Sequence, residues 1–288
     1  MTVPVVTHAR ARCSCGASGG SGDCACSADA YQPYCIEANT DDASTVILAT
    51  SPFSYYLMDV NGAADISGNG HTGISSIGTV TYGVAAITSK ALEATRYTNG
   101  GSIAFPPPVA DMGNPAQAFA VAMVMQVDDY DSVGGNSALD GGFPFLSWAG
   151  TSPPKMAHVI GATGHLCPFS DSTFARLGNF VRSRDVLFAL GEPHVLILNA
   201  PAAVNSLGTW EFWLDGVLVL TSQREGTGTD GTSFQIGRIA GGGPFFGAID
   251  MTYSNLATWA RGLTEAEIRT ITEVLIDDAI IATAWVPS

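Results

Sequence analysis

The sequence predicts an all-β antiparallel sandwich closed by a short C-terminal helix, and three observations carry that expectation. Trp210-Glu211-Phe212-Trp213-Leu214 and Val217-Leu218-Val219-Leu220 are apolar, β-prone runs on either side of Asp215-Gly216, a dipeptide that tolerates the positive φ of a tight hairpin turn. Thr264, with Glu267 three residues on, spells a capping box, and Ile268, Ile271 and Leu275 follow at helical spacing, so a helix is expected over 264–276. The composition agrees: 33 Gly, 15 Pro and 13 Phe stand against 12 Lys plus Arg in 288 residues, a length that one all-β domain can fill.

Residues 1–45 read as an N-terminal arm. Its start holds His8, Arg10 and Arg12 on a chain of net charge −14, which makes Arg10 and Arg12 candidates for docking to an acidic neighbour, a solvated arm being the plainer reading. Five of the six cysteines, Cys13, Cys15, Cys24, Cys26 and Cys35, lie within 23 positions. The sequence around them is rich in Gly, Ser and Asp and has too few apolar residues to form a core, so a staple is expected. The thiolates of Cys13, Cys15, Cys24 and Cys26 could hold zinc, although structural sites usually place two to four residues between paired cysteines. Disulfides between the two pairs or to Cys35 are the second reading, since neighbouring Cys-x-Cys partners would be strained. Unmodified thiols are the third. Cys167, in Gly-His-Leu-Cys-Pro-Phe, reads as a small buried hydrophobe, with His165 a weak zinc co-ligand.

A polar link leads to Val46-Ile47-Leu48-Ala49, too short to separate strand from helix. Strands are then expected at Tyr55–Val60, Thr79–Tyr82 and Gly101–Phe105, the last ended by Pro106-Pro107-Pro108, which cannot donate to a ladder. Ala118 to Val127 is nearly all apolar. Phe145–Trp148, Met156–Ile160, Phe174–Leu177, Val186–Leu190 and Val195–Asn199 supply the middle strands. After the hairpin come Ser233–Gly237, Phe245–Tyr253 and Leu256–Trp259. In the hairpin Trp210, Phe212 and Leu214 share one face, and Glu211, Trp213 and Asp215 the other. Trp213 on that polar side is a candidate contact residue, for a sugar or a protein, as well as an ordinary packed tryptophan. Of the adjacent Phe245 and Phe246, one should face outward and mark a contact surface.

The quoted pieces Trp-Leu-Asp-Gly (213–216), Phe-Gln-Ile-Gly (234–237), Phe-Phe-Gly-Ala-Ile-Asp (245–250) and Trp-Ala-Arg-Gly-Leu-Thr-Glu-Ala-Glu-Ile (259–268) resemble the C-terminal half of laminin G-like, concanavalin A-like jelly-roll domains. Tyr55-Tyr56-Leu57-Met58-Asp59 and Asp65-Ile66-Ser67-Gly68-Asn69-Gly70-His71-Thr72-Gly73 resemble the N-terminal half. The resemblance implies a jelly-roll domain over 46–276 and a tail over 277–288, and it implies that Ala118 to Val127 is a central strand, buried on both sides or curved across the sandwich, and not a helix. It also raises calcium, for which Asp65, Asn69 and the backbone near Gly68, or Asp128, Asp129 and Asp131, would give oxygens; the alternative is that Asp65 and Asn69 cap their own turn.

Chemistry for turnover is sparse. Glu211 and Asp215 share a face but lie about 13 Å apart on an extended strand, far from the spacing of a retaining glycosidase pair, and Glu265 and Glu267 belong to the helix start. No nucleophile elbow, zinc-protease motif or phosphate loop is spelled. The few cations argue against a direct nucleic-acid role. No run approaches the roughly 20 apolar residues that cross a bilayer, and the first twelve residues hold no secretory apolar core, so synthesis in a host cytoplasm and no membrane role are expected. The family contains carbohydrate binders, adhesion modules and virion proteins, and the expected function is a non-enzymatic structural component of a phage particle, a head decoration or minor tail protein. Its expected partners are other virion proteins, copies of itself and a host glycan; a free carbohydrate-binding or adhesion lectin is the alternative. The cysteine cluster yields a test of its own: thiol titration of the unfolded, unreduced protein with metal analysis should find either released zinc with free thiols or mostly blocked thiols. Free thiols throughout with no metal recovered would overturn both staples.

Overall fold

The computed structural model describes residues 34–36, 41–73, 75–88, 91, 93–112, 114–129, 143–148, 156–160, 166–169, 190–203, 208–224, 234–237, 250–276 and 280–282. Its elements are β1 (Tyr34–Ile36), α1 (Ala43–Ala49), β2 (Ser54–Tyr56), β3 (Ser75–Ala85), β4 (Glu93–Phe105), β5 (Phe119–Asp129), β6 (Phe143–Trp148), β7 (Met156–Ile160), β8 (Leu166–Phe169), β9 (Pro193–Ala200), β10 (Gly208–Leu214), β11 (Val217–Arg224), β12 (Phe234–Ile236), β13 (Asp250–Trp259), α2 (Glu265–Leu275) and β14 (Ile280–Ala282). Every described strand pairing is antiparallel.

The strands run in the order β11-β10-β9-β5-β13-β4-β12-β6-β7-β8, with β2 beside β13 and β3 beside β4. The long strand β4 turns the corner between two sheets: Thr95–Tyr97 pair with β13, whereas Ile103–Phe105 pair with β12. Between the sheets lies the main core, in which Val121, Met123, Leu196, Phe212 and Tyr253 from one side meet Ile103, Phe105, Phe234 and Ile236 from the other. A second core lies on the outer face of the first sheet, where Ala120, Ala122, Val124, Val195, Ile197, Ala257 and Trp259 are covered by Ala43 and Ile47 of α1 and Ile268, Ile271 and Leu275 of α2. This accounts for the unbroken apolar run of β5, whose alternate residues enter different cores, and the expected central strand is observed.

The hairpin forms with Asp215 and Gly216 both at positive φ, +50° and +78°. Val46–Ala49, open between strand and helix, belongs to α1, because the Asp42 carboxylate accepts from Thr45 N–H (2.9 Å) and Thr45 Oγ1 (2.8 Å) and so caps a helix start. The structured sandwich therefore begins ahead of residue 46. β1 pairs with β14 as a separate ribbon, Cys35 lying opposite Ile281. Several expected strands change bounds. Tyr55–Val60 shortens to Ser54–Tyr56, because Met58 takes φ +61° and the chain turns at 59–62. Thr79–Tyr82 is part of the eleven-residue β3. Of Phe245–Tyr253 and Leu256–Trp259, the described parts form one strand, β13, bulged at Asn255 with φ +52°. The expected Phe174–Leu177 strand and most of Val186–Leu190 fall outside the described residues, and Leu190 itself lies in a turn.

The capping box forms as expected: Glu267 N–H donates to Thr264 Oγ1 (3.2 Å) and Thr264 N–H donates to Glu267 Oε2 (2.8 Å). Arg261 adds Nη1 and Nη2 contacts to the same carboxylate and donates to Thr50 O, tying the start of α2 to the end of α1. The Arg261 hydrogen bond, opposed by desolvation and aided by Thr264, lowers the Glu267 carboxyl from 4.5 to about 2. A depressed folded value stabilises the fold above the unfolded value, and that contribution is lost as pH falls from about 4.5 toward 2. Thr264→Ala should cost about 0.5–2 kcal/mol in urea denaturation. Glu267→Gln should lose stability at neutral pH and flatten the fall between pH about 4.5 and 2; an unchanged pH slope would remove Glu267 from the closure of the domain.

Candidate functional site

Of the residues singled out by sequence, Arg10, Arg12, Cys13, Cys15, Cys24, Cys26, Phe245 and Phe246 lie outside the described residues, as does His165. Trp213 does not lie on an open surface. It is 8% exposed in the core beneath the helices, and its Nε1–H donates to Glu211 Oε2 (3.3 Å). The hairpin face that carries Glu211 looks polar in sequence, but it is the side on which α1 and α2 pack, so Trp213 is structural there and the contact reading is corrected. Among the described residues no group of three or more His, Cys, Asp or Glu side chains is arranged to hold a metal.

Several of the flagged carboxylates serve the backbone or a neighbouring side chain. Asp65 accepts from Tyr55 N–H (3.0 Å) and Ser67 N–H (2.9 Å) through Oδ1, and from His71 N–H (2.8 Å) and Ser67 Oγ (3.0 Å) through Oδ2. Burial pushes its carboxyl up, yet these donors outweigh it and leave the group below its ordinary value. Asn69 Nδ2 donates to Pro52 O and Phe53 O, and the Phe53 and His71 rings stack at 3.8 Å. Both residues thus close the turn they were placed in. Asp215 accepts from the Nδ1–H of buried His194 (2.8 Å) and from Val195 N–H (2.8 Å). Glu211 accepts from Asn199 Nδ2 (2.8 Å), and Asn199 in turn holds the backbone of Leu263. Asp128 binds Gln126 Nε2, Thr252 Oγ1 and Arg96 Nε.

What the sequence reading missed is a rim built from the 59–62 turn, the bulge of β3 and the start of β4. Thr81 faces Arg96 and Val84 faces Ala94, so Tyr82 and Gly83 together stand opposite Thr95. That extra residue, with Gly83 at φ +67°, re-aims the strand as bulges do beside binding sites. One edge of the Tyr82 ring lies over Gly62, where an added Cβ would stand 2.9 Å from Tyr82 Cε1. Gly62, at φ +68°, also closes the turn through its N–H to Asp59 O (2.8 Å). Tyr82 keeps 38% of its surface exposed and Val60 65%, and partial burial raises the Tyr82 phenol, leaving it a neutral hydroxyl. Glu93 Oε2 accepts from Val60 N–H (3.0 Å), and Asp59 Oδ1 from Asn61 N–H (2.8 Å). Beneath, Thr95 Oγ1 donates to Met58 O (2.7 Å) and Asn255 N–H to Leu57 O (3.1 Å), so the turn is held from below. The sequence signals were the dipeptides Tyr82-Gly83 and Asn61-Gly62, each of which reads locally as an ordinary strand end or turn.

Replacing Asp65 by Ala strips several donors of their acceptor and should cost about 1.5–3 kcal/mol, read by urea denaturation. In the wild type, added calcium and added chelator should give the same thermal midpoint; a calcium-dependent rise lost in Asp65→Ala would assign the turn to an ion.

No protein-family model matches the chain, and no curated protein sequence matches it. Solved structures do. The botulinum neurotoxin serotype C1 binding domain is 12% identical with a TM-score of 0.53, over 80% of this chain and 53% of that one. Domain 4 of AbnA, a GH43 extracellular arabinanase from Geobacillus stearothermophilus, in complex with arabinotriose, is 14% identical with a TM-score of 0.50, over 77% of this chain and 98% of that one. A Trypanosoma rangeli sialidase in complex with 2,3-difluorosialic acid is 15% identical with a TM-score of 0.51, over 78% of this chain and 33% of that one. The chain thus spans about half of the toxin domain and a third of the sialidase. Identities this low establish the shared β-sandwich fold and nothing finer.

Proposed function

We propose that the chain is a non-enzymatic carbohydrate-binding module, a structural component of a phage particle that displays the sandwich to host-surface glycans. The observation that carries the binding reading is the rim at Tyr82, a partly open aromatic ring lying against Gly62 of the turn to which the carboxylates of Asp59 and Glu93 are hydrogen-bonded. A preformed site with a few placed polar groups is the usual form of a ligand site. The fold neighbours support it, one being a toxin binding domain and another a domain in complex with arabinotriose. The non-enzymatic part is supported by the commitment of Asp65, Glu211, Asp215 and Glu267 to hydrogen bonds that hold the fold. The place on a particle, as head decoration or minor tail protein, rests on the sequence of the arm, with Arg10 and Arg12 docking to virion partners and the cysteine staple ordering the segment.

The full chain should bind oligosaccharides on a glycan array and release no new reducing ends from them. It should co-sediment with its particle, and Arg10→Glu with Arg12→Glu should weaken that association more at low salt than at high salt, since screening shrinks exposed charge effects. Hydrolysis of any bound glycan would overturn the non-enzymatic reading, and undiminished occupancy by the charge-reversed protein would overturn the docking arm.

A further inference from the structure

We infer that the rim at Tyr82 takes an uncharged sugar with neighbouring free hydroxyls and excludes sugars bearing carboxylate, sulfate or phosphate. This rests on the carbohydrate-binding reading and assigns its ligand class. The Tyr82 ring lies with one edge against Gly62 and is 38% exposed, which leaves ring surface for a ligand to stack on. The apolar C–H face of a sugar ring matches the negative face of an aromatic π system, and the exposed Val60 extends that surface. Beside it, Glu93 is oriented through Val60 N–H and Asp59 through Asn61 N–H. Ionised carboxylates only accept hydrogen bonds, which suits the paired O–H donors of vicinal hydroxyls, and such charge-assisted bonds are among the stronger ones.

The same groups set what is refused. Among the described residues of this rim, the charged side chains are Asp59 and Glu93; the next cation along β4, Arg96, lies against Asp128 with Nε 3.2 Å from its Oδ2. An anionic sugar substituent about 6 Å from both carboxylates would be disfavoured about tenfold even in a water-like dielectric. The chain's net charge of −14 adds to this at low salt.

The test is titration of the full chain with matched pairs of neutral oligosaccharides and their sialylated or sulfated counterparts, such as lactose and sialyllactose, preceded by an array to find neutral binders. Neutral members should bind about tenfold more tightly than their acidic partners. Tyr82→Ala should lose about tenfold or more, and Tyr82→Phe, which keeps the ring, should lose less than Tyr82→Ala; circular dichroism and thermal midpoint confirm that both fold. Glu93→Gln keeps an oxygen acceptor for Val60 N–H and should narrow the neutral-to-acidic ratio. Preference for acidic glycans, or neutral binding indifferent to Tyr82→Ala, overturns this assignment and leaves the carbohydrate-binding reading standing. Absence of binding to any glycan overturns both.

Discussion

Asn255 holds φ +52° in the middle of β13, and both hydrophobic cores depend on where it puts the strand's alternation. Opposite β5, Ser254 pairs with Val124 and Ala257 with Ala122, so Asn255 and Leu256 together face Met123. Met251, Tyr253 and Leu256 therefore point into the core between the sheets, while Ala257 and Trp259 point to the helices. Without the extra residue, strict alternation would send Ala257 and Trp259 inward and Leu256 outward, a change of face for every side chain beyond that point. Tyr55 O–H donates to Asn255 Oδ1 (2.7 Å), and Asn255 N–H to Leu57 O (3.1 Å). One asparagine thus sets the packing on both faces and also positions the stretch that leads into the rim.

This constraint explains what could be read in the chain and what could not. The hairpin at Asp215-Gly216, the capping box at Thr264 and Glu267 and the buried strand β5 are local signals, and each appears where expected. The break assumed between Tyr253 and Leu256 was wrong because Ser254-Asn255 is turn-like in composition, while the residues around it are held in one ladder by β5. β3 was underestimated for the same reason, since Gly78 and Gly83, both at positive φ, mark its bulges and look like loop residues. Tyr82 was missed as a surface residue because its exposure is created by the bulge and by a turn twenty residues earlier. Trp213, open in sequence between a contact and a packed tryptophan, is the packed one: Glu211 and Asp215 on its face are polar, but its neighbours in space are helices.

The acidic composition acquires a physical sense in this light. A chain of net charge −14 should resist compaction through self-repulsion, yet many of its described carboxylates act where the backbone or a side chain needs an acceptor. Asp42 and Glu267 serve helix starts, Asp65 and Asp215 hold turns, and Glu211 and Asp128 join strands. A carboxylate in such a position interacts favourably with amide donors, so its charge contributes to order.

Asp59 and Glu93 differ from these in degree. Each has one oxygen fixed by a backbone N–H, beside an aromatic ring that is more than a third exposed. Gly62 closes the 59–62 turn at φ +68° through its N–H to Asp59 O (2.8 Å), and the bulge in β3 brings the Tyr82 ring against that same turn. An exposed phenol resting on glycine contributes little to a core already filled by Tyr97, Tyr253 and Phe105. The positive φ of Gly62 shapes the turn and that of Gly83 the bulge, and the two irregularities, twenty residues apart in sequence, meet at the Tyr82 ring.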